Sequence, residues 1–204
     1  MSTTVTANQP VIGWREHHED SGDGKFDETW NGVVIMAPLP NDEHQELQLA
    51  LSVPLFELIQ LAKLGKVRPG VNVTDRHDDW RINYRSPDVV VYLKGNPSIN
   101  NGSHWVGGPD FLIEIISPNE DPLAKLEFYA GIGTREVLTV ERDPWALELF
   151  QFVDGELVSS GRVTVDDGAS LTSETVNLGF SLESGTERPC VRMAQPNGGR
   201  MWRA

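Results

Sequence analysis

The chain has 204 residues with an ordinary globular mix, 39% hydrophobic and 23% charged, which excludes a disordered chain and leaves ample length to bury a core. Its net charge of −13 argues against a tight, non-specific nucleic-acid binder, because such proteins present a basic face; a local basic patch or a bound metal is still compatible with it. The single cysteine, Cys190, excludes an internal disulfide framework and suits a reducing compartment.

The opening MSTTVTANQP has no basic stretch followed by an apolar run, and no segment reaches the length of a membrane span, so the sequence predicts neither a signal peptide nor a spanning helix and points to the cytoplasm. Residues 1–24 are polar, end in SGDG and read as a flexible arm. Glu28 to Met36 reads as a strand or a hairpin, with Asn31-Gly32 as the turn signal. Asn41 or Asp42 caps a helix expected from Glu43 to Leu64, with Leu47, Ala50, Leu51, Leu58, Ile59 and Ala62 on its apolar face and a kink at Pro54. A short strand at Val67–Val73 and a polar stretch to Ser86 lead into two apolar runs, Val89–Leu93 and Phe111–Ile116. A short helix over Asp121–Ala130 follows, closed by Gly131 and Gly133. Strands at Glu136–Glu141, Trp145–Phe152 and Glu156–Ser159 come next, the last pair joined at Asp154-Gly155, and Val176–Leu182 is a further strand. Residues 25–193 are thus expected as a single unit and 194–204 as a flexible tail. The class is α/β, with α+β an open alternative: a mixed sheet, a long helix before it and a short one after its central strands.

Both faces of Phe111–Ile116 are apolar except at Glu114, and a carboxylate buried without a partner costs several kcal/mol at least, so it must be paired, protonated or metal-bound. A salt bridge would explain an isolated case. Asp88, however, opens the other apolar run, and consecutive strands usually lie side by side, which would bring the two acids to one end of the sheet. Two close carboxylates favour a shared hard cation such as Mg²⁺ or Mn²⁺. Lys125 lies on the short helix beyond the Glu114 strand, with Tyr129 four residues on along the same face. A lysine beside such a pair could position or deprotonate water and steady a pentavalent phosphate.

With these residues in place, the segments SPDVVVYL, GGPDFLIEIISP and LAKLEFYAGIGTREVLTVERDPWALELF resemble the Uma-two family of restriction-endonuclease-like proteins in the PD-(D/E)XK nuclease superfamily. The segment DETWNGVVIMAPLPNDEHQ is similar to that family's opening hairpin and first helix, so the resemblance covers about residues 26–152, and more weakly on to Leu182. It implies a restriction-endonuclease-like fold and a metal-dependent endonuclease acting on DNA, with Asp88 and Glu114 as metal ligands beside the backbone carbonyl of Ile115. The usual motif places a lysine two residues after the glutamate, where this chain has Ile116; the resemblance implies that Lys125 takes over that role from the following helix. It also implies an outer metal-ligand role for Glu28 and a site position for His44.

Other chemistry-bearing residues read as structural. His17, His18, Glu19 and Asp20 fall in the polar arm, and His77-Asp78-Asp79 in a polar loop. Ser117 lacks a nucleophile elbow and suits a helix cap, and Cys190 has no activating context. Lys63, Lys66, Arg68, Arg76, Arg81, Arg85 and Lys94 crowd the approach to Asp88 and its far side, as phosphate contacts or as a mixed solvated loop. The competing functional readings are a non-catalytic, homodimeric interaction protein that keeps the fold, in which arginines would pair the acids in a filled core rather than leave them facing an open cleft, and a glycosidase, which has no place for Lys125.

Overall fold

The computed structural model describes residues 27–37, 39–117, 121 and 123–204, together with the backbone of one strand at Thr3–Val5. Apart from that strand, the arm expected over 1–24, with its His17–Asp20 cluster, lies outside the described residues.

Strand β1 (Thr3–Val5) and the hairpin β2 (Glu28–Trp30) and β3 (Val33–Met36) come first. The hairpin turns as expected at Asn31 and Gly32, whose φ values of 49° and 86° are those of a turn built from two left-handed residues. Helix α1 (Asp42–Leu55) is capped by Asn41, whose side chain accepts from the His44 N–H. The expected helix to Leu64 continues only as a π-helical segment, Phe56–Leu61. Pro54 explains the change, since it has no N–H to return to the preceding turn. Leu47, Leu51, Leu55 and Ile59 are buried at helical spacing, whereas Ala62, expected on the same face, is exposed beyond the last turn.

The single strand expected at Val67–Val73 is two strands, β4 (Gly65–Pro69) and β5 (Asn72–Thr74), which join different sheets. The break falls at Pro69-Gly70, where Gly70 takes a φ of +55°. Next come β6 (Tyr84–Arg85), β7 (Val89–Leu93), β8 (Ile99–Asn100), β9 (His104–Val106) and β10 (Phe111–Ile115). Helix α2 is short, Leu126–Gly131, and Lys125 is its N-cap residue rather than a member of its turns. The remaining strands are β11 (Glu136–Arg142), β12 (Trp145–Val153), β13 (Glu156–Thr164), β14 (Leu171–Ser173), β15 (Leu178–Glu183), β16 (Cys190–Ala194) and β17 (Met201–Arg203).

Three sheets form. The central one has six strands in the order β13-β12-β11-β10-β7-β4, with β10 and β11 parallel and every other pair antiparallel. A seven-stranded sheet runs β1-β3-β2-β6-β5-β9-β8, and β14 to β17 form a four-stranded antiparallel sheet in sequence order. The class is therefore mixed α/β with mostly strands, a long N-terminal helix, a short second helix and additional C-terminal strands. The stretch expected as a tail carries β17, and Ala204 is buried with its backbone paired to Val191 in both directions.

Alternation along the central strands sorts the core. Val89, Val91, Phe111, Ile113 and Ile115 face α1 and the C-terminal sheet, meeting Leu47, Leu51, Phe180 and Met193. Val90, Tyr92, Leu112 and Val137 face the other way, against Val73, Trp105 and Tyr129. Glu114 belongs to this second face.

Candidate active site

The register of β7 on β10 pairs Ile113 with Val89, so Asp88, one residue before the strand, falls beside Glu114. The expected juxtaposition of the two acids is what the pairing gives. Asp88 is fixed at both oxygens: its Oδ2 accepts from the Ile115 N–H at 2.7 Å, and its Oδ1 lies 3.3 Å from His44 Nε2. Its own carbonyl accepts from the Gln48 side chain at 2.8 Å and from the Gly70 N–H at 2.9 Å. Helix α1 therefore contributes His44 and, one turn on, Gln48 to the same residue. Among the described residues, His44 Nδ1 is buried without a partner.

Glu114 is 6% exposed. Tyr129, on α2, donates its hydroxyl to Oε1, and the Lys125 ammonium sits 3.4 Å from both carboxylate oxygens. The hairpin strand β2 brings in a third acid. Glu28 is 5% exposed; its Oε1 accepts from the Ser86 N–H at 2.9 Å, its Oε2 accepts from Trp30 Nε1 at 2.8 Å, and Lys125 Nζ lies 3.0 Å from Oε1. One ammonium thus bridges two buried carboxylates, with a third close by.

Protonation follows from that imbalance. Burial pushes the Glu114 carboxyl up to about 8, and the charges of Asp88 and Glu28 add to the effect, while Lys125 and the Tyr129 hydroxyl pull against it. Burial would raise Glu28 as well, but Lys125, the Ser86 N–H and the Trp30 N–H outweigh it and hold that carboxyl below its ordinary value. The Tyr129 hydroxyl is raised well above the usual tyrosine range, by burial first and by the Glu114 charge second, so it stays a donor.

Arg85, at the end of β6, completes the surroundings. Its guanidinium lies between the rings of Trp30 and Phe128, 4.3 Å and 4.2 Å from their centroids, and donates to the carbonyls of Thr29 and Tyr84 and to Asn83 Oδ1. It ties the hairpin carrying Glu28 to the helix that follows Lys125.

All of the side chains expected at the site, Asp88, Glu114, Lys125, Glu28, His44 and Tyr129, gather here, and Ile115 contributes a backbone N–H to Asp88. Gln48 is not among the expected site residues, and Arg85 was expected only as one of a basic run, as a phosphate contact or a solvated charge. Gln48 carried a usable signal, four residues after His44 on the same helix face. Nothing marks Arg85 out for burial beside the acids, because it lies within a run of basic residues in a polar stretch.

The profile of the Uma2 family, described as "putative restriction endonuclease", matches residues 16–184. The chain belongs to this family. Among solved structures, the Uma2 chain is similar to one described as a putative nuclease belonging to DUF820 from Anabaena variabilis. That likeness has a TM-score of 0.59 at 17% identity and covers 74% of this chain and 82% of the other, which supports the nuclease-like fold. No curated protein matches the chain. No helix among the described residues is long and apolar enough to cross a membrane.

As the side chains stand, no group of three His, Cys, Asp or Glu among the described residues is arranged to hold a metal ion. The chemistry of the donor set nevertheless fits one. Glu28 and Glu114 share the Lys125 ammonium, and a third carboxylate, Asp88, stands beside Glu114 with only His44, among the described residues, near its Oδ1. All-oxygen ligands in that state suit a hard divalent cation.

Proposed function

We propose that this Uma2 chain is a Mg²⁺- or Mn²⁺-dependent endonuclease that hydrolyses DNA phosphodiester bonds, with Asp88, Glu114 and Lys125 as its catalytic residues. The observation that carries the reading is the Lys125 ammonium held 3.4 Å from both oxygens of Glu114, at the strand end where Asp88 stands beside that acid. Asp88 and Glu114 would hold the cation, joined by the Ile115 carbonyl and, as an outer ligand, Glu28. A divalent cation held there would supply Lewis-acid chemistry, polarising a phosphate oxygen and acidifying a bound water.

The protein's own groups supply the rest. His44 and the Ile115 N–H fix the Asp88 carboxylate so that its orientation costs nothing at the moment of binding. Tyr129 does the same for Glu114 Oε1. Lys125, steered by Glu28, is placed to donate to an attacking water or to a phosphoryl oxygen gaining charge, in a site screened from bulk solvent. No arginine pairs with Glu114 or Asp88 among the described residues, which counts against a non-catalytic interaction protein built on this fold, whereas the burial of Glu28 and Glu114 is the filled site that such a protein would have.

Cleavage of plasmid and single-stranded DNA with Mg²⁺ or Mn²⁺ tests the reading, comparing wild type with Asp88→Asn, Glu114→Ala and Lys125→Ala. The Asp88→Asn amide oxygen can still accept from Ile115, so the fold should persist while cutting is lost. Metal-dependent cutting that all three variants abolish is the expected result. Cutting that persists equally in every variant would remove the assignment.

A further inference from the structure

Three of the chain's five lysines, Lys63, Lys66 and Lys94, line one pocket of about 470 Å³, a size typical of ligand sites. All three are exposed, and among the described residues none has a carboxylate within ion-pair distance. The contrast with the arginines is sharp: eight of them are paired with acids. In a chain of net charge −13, free carboxylates are plentiful, so a pocket lined by three lysines and no acid is a local reversal of the protein's field.

Position adds to composition. Lys94 directly follows β7, and Lys66 pairs with Tyr92 across β4 and β7. Its ammonium lies 5.2 Å from the centroid of Trp105, which itself stacks on Tyr92 at 3.8 Å, so the cation rests on a fixed aromatic floor. The Lys94 N–H donates to the Leu64 carbonyl at 2.8 Å, so the segments bearing Lys63 and Lys94 are joined by their backbones. Within β7, Val90 and Tyr92 alternate onto one face of the sheet, the face that also carries Glu114 and, opposite Tyr92, Lys66; Asp88 and Lys94 flank the strand at its two ends. The acidic site and the lysine pocket therefore mark opposite ends of one strand on one face, roughly 20 Å apart at about 3.3 Å per residue. Val73, Trp105 and Tyr129 cover the face between them, so a duplex reaches both ends only by passing over that cover; with a charge every ~1.7 Å of its axis it has phosphates to span such a path.

We propose that Lys63, Lys66 and Lys94 form a second contact for the phosphate backbone of DNA, remote from the acidic site and on the same face of the central sheet. The proposal rests on reading the chain as a DNA nuclease and names how a strongly acidic protein holds its polyanionic substrate: a metal neutralises charge at one end and unpaired lysines do so at the other.

The test is binding of a labelled duplex and of the matching single strand to the full chain in EDTA, over a series of salt concentrations. The variants are Lys63→Gln/Lys66→Gln/Lys94→Gln and the corresponding triple arginine variant, with thermal unfolding as the check that all fold. The glutamine variant is expected to bind about tenfold more weakly or worse, and its log–log salt slope to shrink by about two to three, near 0.9 per lost phosphate contact. The arginine variant should keep wild-type affinity. Wild-type affinity and slope in the glutamine variant would overturn the proposal, as would a pocket saturated by inorganic phosphate in a chain that binds neither oligonucleotide. Cleavage is scored separately. Lysine-dependent binding without cleavage removes the hydrolytic reading and leaves this contact standing, whereas cleavage with unaltered binding in the glutamine variant removes the contact alone.

Discussion

Lys125 lies 3.0 Å from Glu28 Oε1, a contact between the residue that caps the second helix and the first strand of the N-terminal hairpin. Both side chains are largely buried, at 15% and 7% exposure, so the pair is shielded from the screening that makes surface ion pairs weak. Removing the cation would leave two buried acids facing each other. Lys125→Met should lower unfolding free energy by about 3–5 kcal/mol as well as abolish cutting. Lys125→Arg should recover much of the stability. Urea denaturation decides it: a methionine variant as stable as wild type would mean that the ammonium is not the neutralising group.

Glu114 gives the fold an unusual pH response. Its folded pKa of about 8 lies above the unfolded value of 4.5, so the folded state binds the extra proton. The stability this contributes is complete below pH 4.5 and is lost as the pH rises through 8. In metal-free buffer, the Tm of wild type relative to Glu114→Gln should therefore decline from pH 5 to pH 8. Glu28, held below its ordinary value, works in the opposite sense and only in acid, where stability falls as it becomes protonated. Parallel Tm curves for the two proteins across that window would contradict the assignment.

The same proton links metal binding to pH. Near pH 7 Glu114 keeps its proton, and a carboxyl must give that proton up to serve as a ligand. Titration of Mg²⁺ into the protein at pH 7, in buffers of different ionisation enthalpy, should report release of about one proton, fading by pH 9. Heats that do not depend on the buffer would show that Glu114 is already ionised or is not a ligand.

Arg85 should prove hard to replace. A lysine cannot fill the planar slot between Trp30 and Phe128 and also donate to two carbonyls and Asn83. Arg85→Lys is expected to cost about 1–3 kcal/mol and to reduce cutting by loosening the approach of the hairpin to the second helix. Full activity in a destabilised Arg85→Lys protein would confine the residue to a structural role.

The central strands and their acids were legible because burial leaves a plain mark in sequence. An apolar run interrupted by one glutamate, and another preceded by an aspartate, carry most of the signal at Glu114 and Asp88. Lys125 could be placed near Glu114 from the helix that follows that strand, and its role as the displaced lysine came from resemblance; Glu28 and His44 were reached through resemblance alone, since nothing local says that a distant hairpin and helix start converge on this strand end. Where local rules were overridden, the cause is identifiable. Pro69-Gly70 split one expected strand between two sheets, and Pro54 turned the expected end of the first helix into a π-helical segment. Arg85 was invisible because charge alone does not reveal burial between two aromatic rings.

Because β10 and β11 are parallel, the chain between them must travel back the length of the sheet, and Lys125 and Tyr129 ride on that return path. The strand itself is thereby spared a second ionic residue: position 116 is a buried isoleucine, and only one charge interrupts the hydrocarbon face. Acid and amine are thus carried on separate mechanical parts, one embedded in the sheet and one on a connection whose length can change without shifting the strand register. A change on the return path can therefore alter where the amine sits without shifting the strand register that holds the two acids together.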